Sequence, residues 1–184
     1  MSVNITEPIA TVAVTGDGAG VTSQAGTHLL GRLAGQLGVA SGFSQALAAT
    51  TSRSSAHDRG RVLTQLAMTI AAGGRCLSDL RTLRDQPALF GTVASDATAW
   101  RAVHQVDERL FGALVGVRQA ATRRLLEDAG VDQIELEVDA TLLHLHSEDK
   151  QGVAATFKGG FGFAPMLCFI EPFGLPAGML RPGA

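Results

Sequence analysis

The sequence predicts an α+β chain, with an all-helical N-terminal domain over residues 1–130 and an antiparallel three-stranded meander over residues 131–184. Three observations predict it. Apolar residues recur at helical spacing from about residue 27 to residue 129. The period then drops to two in Gln133-Ile134-Glu135-Leu136-Glu137-Val138-Asp139. Two further apolar stretches follow, 161–170 and 174–180, joined by connections rich in Gly and Pro.

Taken in order, Ile9 to Thr15 alternates small and β-branched residues before Gly16-Asp17-Gly18, a hairpin signal. The glycine run there lacks the Lys-Ser/Thr of a phosphate loop. Leu29, Leu30, Leu33 and Leu37 share one helical face, which Gly38 closes. Ser41 is placed to cap the next helix, with Phe43, Leu47 and Ala48 inward. A polar loop over 50–55 leads to a helix expected from about 57 to 72. Asp58 lies in its first turn, where the helix dipole favours an acid, and Val62, Leu63, Leu66 and Ile70 form its apolar face. Gly73-Gly74 ends it. Ser78 caps a short helix through Leu80 and Leu83, Pro87 opens a turn closed by Phe90-Gly91, and Ser95-Asp96 is a further N-cap. Trp100 and Val103, then Leu110, Leu114, Val117, Ala121 and Leu125, carry the pattern to a stop at Gly130, with a break near 105–107. Trp100 is expected in the core.

Composition limits the function classes. Of 184 residues, 46% are apolar, which excludes an intrinsically disordered chain. The net charge of −2 points to no polyanion partner for the chain as a whole. Regionally, residues 51–84 hold six Arg against two Asp, a local +4, and residues 85–150 hold twelve acids against six bases, a local −6. A local basic stretch can follow a phosphate backbone, or it can be a solvated helix face. Cys76 and Cys168 lack metal-ligand spacing and are expected to be buried and reduced, as in a cytoplasmic protein. No basic N-terminal region precedes an apolar run, and no apolar stretch is long enough to span a membrane.

The strand ending at Asp139 is the informative element. Ile134, Leu136 and Val138 point to one face, and Glu135, Glu137 and Asp139 to the other. Three acids on one face fit an edge strand blunted by charge. They also fit a strand that presents a carboxylate to a hard divalent cation, which prefers oxygen ligands. His144 and His146 alternate nearby without a third ligand, and Glu148-Asp149 sits beside Lys150, so both read as polar surface.

A set of longer strings resolves part of this choice. Glu137-Val138-Asp139-Ala140-Thr141-Leu142-Leu143, His146-Ser147-Glu148, Phe157-Lys158-Gly159-Gly160-Phe161-Gly162-Phe163 and Leu180-Arg181-Pro182-Gly183 occur in that order. Upstream stand Ala56-His57-Asp58-Arg59-Gly60-Arg61-Val62-Leu63, Leu77-Ser78-Asp79-Leu80, Leu83-Arg84-Asp85-Gln86-Pro87 and Phe90-Gly91 through to Trp100-Arg101. Together the chain resembles the DDE transposases of bacterial insertion sequences, of the group 1 type, from about Gly16 to Gly183.

The resemblance implies a ribonuclease-H-like catalytic domain whose first strand bears the first acid of an Asp-Asp-Glu triad. By motif position that catalytic and metal-binding acid is Asp139. The triad would hold two Mg2+ or Mn2+ ions for cleavage and strand transfer of DNA. The chain ends at Ala184, before a second Asp and a Glu, so the expectation is a truncated, incomplete domain that holds no metal stably and is inactive alone. Ala164 stands where the family often has His, and Ala97 where it often has Pro.

The family also implies binding of transposon ends in the N-terminal region. Arg59, Arg61, Arg75, Arg81 and Arg84 flank two expected helices about Gly73-Gly74, a helix-turn-helix arrangement, and are the candidate DNA-binding residues. The alternative is that Arg81 and Arg84 pair with Asp79 and Asp85. The implied partners are terminal inverted repeats, with full-length transposase or a second copy as a protein partner, and no membrane. A different class of function remains open: a non-catalytic DNA-binding or transposase-interacting, inhibitory protein.

Overall fold

The computed structural model describes residues 23–50, 57–150 and 152–180. The expected hairpin over 9–18, most of the polar loop and the last four residues lie outside them. Among the described residues seven α-helices precede six strands, an α+β arrangement. No described helix is long and apolar enough to cross a membrane.

The helices are α1 (Ala25–Gln36), α2 (Val39–Ala46), α3 (Arg59–Ala71), α4 (Arg81–Arg84), α5 (Pro87–Phe90), α6 (Asp96–His104) and α7 (Glu108–Asp128). Their boundaries follow local chemistry. Asp58, Ser95 and Asp107 each accept a backbone N–H of the first turn, from Arg61, Thr98 and Leu110 respectively. Pro87 opens α5 at a position where a missing N–H costs nothing.

The core lies around α3, α4, α5 and α6. Val62, Leu80, Leu83, Phe90, Val93, Ala94, Ala99 and Ala102 form one buried cluster, with Leu66, Met68, Leu77 and Leu89 packed against it. The buried side of α3 differs from the expected one. Ile70 is 69% exposed, while Thr64, Gln65 and Thr69 are buried. The two hydroxyls bond back to the carbonyls of Gly60 and Gln65, and Gln65 Nε2 donates to Thr92 O, while Gln65 Oε1 is buried without a hydrogen-bond partner.

Four further expectations are corrected. Trp100 is 54% exposed and stacks on His104, with ring centroids 4.6 Å apart, because the core side of α6 is taken by Ala99 and Ala102. Leu29, Leu30 and Leu33 are exposed, and α1 buries no residue fully. Cys76 is exposed because it caps the 3-10 turn Leu77–Leu80, the place expected of Ser78. The helical pair for a helix-turn-helix is absent among the described residues. After α3 come that 3-10 turn and the four-residue α4, too short for a recognition helix.

The strands are β1 (Glu135–Ala140), β2 (Leu143–Leu145), β3 (Ala154–Ala155), β4 (Phe161–Phe163), β5 (Met166–Glu171) and β6 (Leu175–Leu180). They form two three-stranded antiparallel sheets, ordered β1-β5-β6 and β2-β4-β3. The first is the expected meander; the second is inserted within it. Asp139 pairs with Leu167 and Ala140 with Met166, Thr141 N–H donates to Pro165 O, and Leu143 pairs with Phe163. The register is unchanged from the β1–β5 pair to the β2–β4 pair, so β1–β2 and β4–β5 are one ribbon, interrupted where Ala164-Pro165 removes a donor. The expected single strand over 161–170 is split there.

The alternation of β1 does not mark a covered face, since all six of its residues are exposed. The strand lies at a sheet edge, and neither face is covered. The sheet meets the helices at β6, where the Arg118 guanidinium of α7 donates to the carbonyls of Pro176 and Ala177.

Candidate functional site

Asp139 is the fifth residue of β1, close to its C-terminal end. Its carboxylate Oδ1 accepts the Ala140 N–H at 2.8 Å, which orients the group while leaving it exposed to solvent. Glu135 and Glu137 precede it on the same side of the pleat and are also exposed. This carboxylate is exposed at a strand end, and carboxylate oxygen is the ligand type that a hard cation prefers.

The local arrangement is not a complete metal site. Among the described residues no three His, Cys, Asp or Glu side chains stand together where they could hold an ion. His144 is exposed on β2 opposite Gly162, and His146 follows β2, also exposed. The described residues therefore do not by themselves fit a two-ion centre, which needs several carboxylates around two ions about 4 Å apart.

The five arginines fall into separate groups. Arg59 and Arg61 occupy the first turn of α3, and Arg75 follows its far end. A helix of 13 residues keeps them roughly 20 Å apart. Arg59 is half-buried, and its Nη1 is buried without a hydrogen-bond partner. Arg61 donates from Nη2 to Phe90 O at 3.3 Å. It also lines a cleft of about 190 Å³ shared with His28, Arg32, Gln65, Met68 and Phe90. Arg75 and Arg81 are exposed. Arg84 has an internal partner: its Nη2 donates to Asp96 Oδ1 at 2.7 Å and to Ala94 O at 3.0 Å. Asp96, not Asp85, is thus the partner of Arg84.

A match over most of the chain decides the family. The sequence pattern described as Transposase DDE domain group 1 covers residues 8–184. The chain belongs to that DDE transposase family. No curated protein and no solved structure matches it.

Asp79 is likewise fixed by backbone donors. Its Oδ2 accepts the N–H groups of Arg75 at 2.7 Å and Cys76 at 3.0 Å and the Cys76 thiol at 3.3 Å, and makes no hydrogen bond with Arg81. The Arg75 N–H, then those of Cys76, hold the carboxyl below its usual value, with a lesser contribution from the Arg81 charge. A lowered folded pKa means stability that is present above the unfolded value of 3.8 and lost as pH falls through the folded one. We therefore expect acid titration below about pH 4 to loosen the 75–84 segment. Asp79→Asn should flatten that acid limb in hydrogen exchange of the Arg75 and Cys76 amides; an unchanged limb would assign it to other carboxylates.

Sequence reasoning missed two features. Phe157 and Lys158 lie within a quoted family string, but their position at a turn tip depends on where β3 pairs. Gly60 sits inside another string, and no local signal announces the helix it touches.

Proposed function

We propose that this transposase chain supplies the first acid of a ribonuclease-H-like DDE catalytic domain, Asp139, together with a helical DNA-end-binding domain over residues 1–130. The observation that carries this reading is the exposed, backbone-oriented carboxylate near the end of β1, in the family motif Glu137-Val138-Asp139. Asp139 is a ligand for Mg2+ or Mn2+, and the carboxylates that complete the pair of ions are not among the described residues. This chain alone neither cuts nor joins DNA.

DNA contact rests on Arg59, Arg61, Arg75 and Arg81, with Arg84 acting through its bond to Asp96. The buried, unpartnered Nη1 of Arg59 and the placement of Arg61 beside Arg32 and His28 on one cleft support a phosphate site at the start of α3. The open edge of β1 favours a second reading, in which the strand pairs with another transposase chain or a second copy and the domain acts as an inhibitor.

Binding of a labelled terminal-repeat duplex, followed by anisotropy against salt, tests the helical part. Four phosphate contacts predict an affinity that falls roughly a hundredfold between about 50 and 200 mM salt. Absence of binding at low salt would refute the DNA reading. Incubation of the same DNA with Mg2+ or Mn2+ should give no cleavage; cleavage abolished by Asp139→Asn would overturn the claim that further acids are required.

A further inference from the structure

The β3–β4 turn is built as a rigid fingertip. Thr156 N–H donates to Gly160 O at 2.9 Å, and Gly159 N–H donates to Thr156 O at 3.0 Å. Thr156 Oγ1 adds a bond to Gly159 O at 3.0 Å. Gly159 and Gly160 have φ of +82° and +79°, a left-handed backbone that glycine adopts without strain. These constraints leave Phe157 and Lys158 at the apex.

Phe157 is 88% exposed, the highest value among the exposed large hydrophobics described. Phe161 and Phe163, on β4 of the same hairpin, are half-buried. The fold therefore gives two rings partial cover and projects the third into water. Lys158 Nζ stands 5.6 Å from the centre of the Phe157 ring, so cation and ring form one unit. The finger extends from the Asp139 end of β1, along the ribbon that continues past Ala140.

We infer that this hairpin is a DNA-contacting finger, in which Phe157 wedges against a base step and Lys158 binds the adjoining phosphate. The inference rests on the DNA reading proposed above. An aromatic wedge partly unstacks a base step, and a neighbouring cation offsets the charge of the backbone it approaches. Six ladder positions separate the Asp139–Leu167 pair from the Leu145–Phe161 pair, about 20 Å along an extended ribbon. The finger thus meets DNA several base pairs from the phosphate opposite Asp139, and its role is positioning.

The test uses the full chain and two labelled duplexes of the same mixed sequence at low salt, one fully paired and one with a small central bubble. A wedge favours the bubble, where less stacking is lost, by about tenfold. Phe157→Ala should abolish that preference by weakening the bubble complex more than the paired one, and Phe157→Trp should keep it. Lys158→Ala should weaken both complexes and lower the salt slope by about one. If the unaltered chain binds neither duplex, the DNA reading fails and takes the finger with it. If it binds and Phe157→Ala retains the bubble preference, the finger alone is overturned. Loss of self-association in Phe157→Ala, with both DNA affinities intact, would assign the tip to a protein partner and overturn it equally.

Discussion

Gly60→Ala is expected to destabilise the helical part by about 2 kcal/mol or more, although alanine is the better helix former. A Cβ at Gly60 would stand 2.1 Å from the backbone N of Ser44 and 2.5 Å from the carbonyl C of Phe43. Both atoms belong to α2, so the obstacle is backbone and has no rotamer to change. Relief requires α2 and α3 to separate. That also stretches the bond from Ser44 Oγ to Asp58 Oδ1, which is 2.6 Å long and ties α2 to the cap of α3. The opposing gain in helix propensity is at most about 1 kcal/mol and is smaller in a first turn. Gly116→Ala supplies the contrast, since nothing lies within 4 Å of its added Cβ in the middle of α7. Urea denaturation should show Gly116→Ala slightly stabilised and Gly60→Ala strongly destabilised. A shift of the same sign in both variants would mean that the α2–α3 approach is looser than described.

This pair of glycines illustrates what sequence patterns convey. Both lie within helical runs, and nothing in their neighbours separates them. Features set by neighbouring residues were legible: the stop after α3, the Pro87 turn, the Ser95 cap, the break before α7 and the alternation ending at Asp139. Features set by distant residues were not. Trp100 lies outside because Ala99 and Ala102 bring α6 close to the core, and the apolar period alone does not say which of its members is small enough for that contact. The alternation of β1 suggested one covered face, yet cover must come from elsewhere in the chain, and both faces are open. The inserted sheet was hidden because the ribbon keeps its register through Ala164-Pro165, and a pattern of apolar residues does not mark where pairing is interrupted. At the candidate site, the family strings located Asp139, while the internal engagement of Arg84 depended on Asp96 arriving from another helix.

Leu80→Ala should lower stability by about 3 kcal/mol, within the range of 2–5 for truncating a buried leucine. Leu80 is 0% exposed, as is its neighbour in the cluster, Leu83. Neither residue belongs to a long helix. They sit in a 3-10 turn and a single α-turn, elements whose few hydrogen bonds give little stability of their own. The segment is held by what these two side chains bury, so the cavity cannot be relieved by a shift of the turn without exposing Leu83 as well. Arg81 and Arg84 are carried on that segment, and the Arg84–Asp96 bond links it to the first turn of α6. A packing defect should therefore reach the arginines: if they contact DNA as proposed, Leu80→Ala should weaken that binding although it touches no phosphate. Fluorescence of Trp100, the single tryptophan, reports on α6, whose Ala99 and Ala102 belong to the same cluster. Its urea midpoint should fall with little change in slope. A loss below about 1 kcal/mol would mean that the site collapses freely, and the cluster around Leu80 would then not be the core that holds the arginines in place.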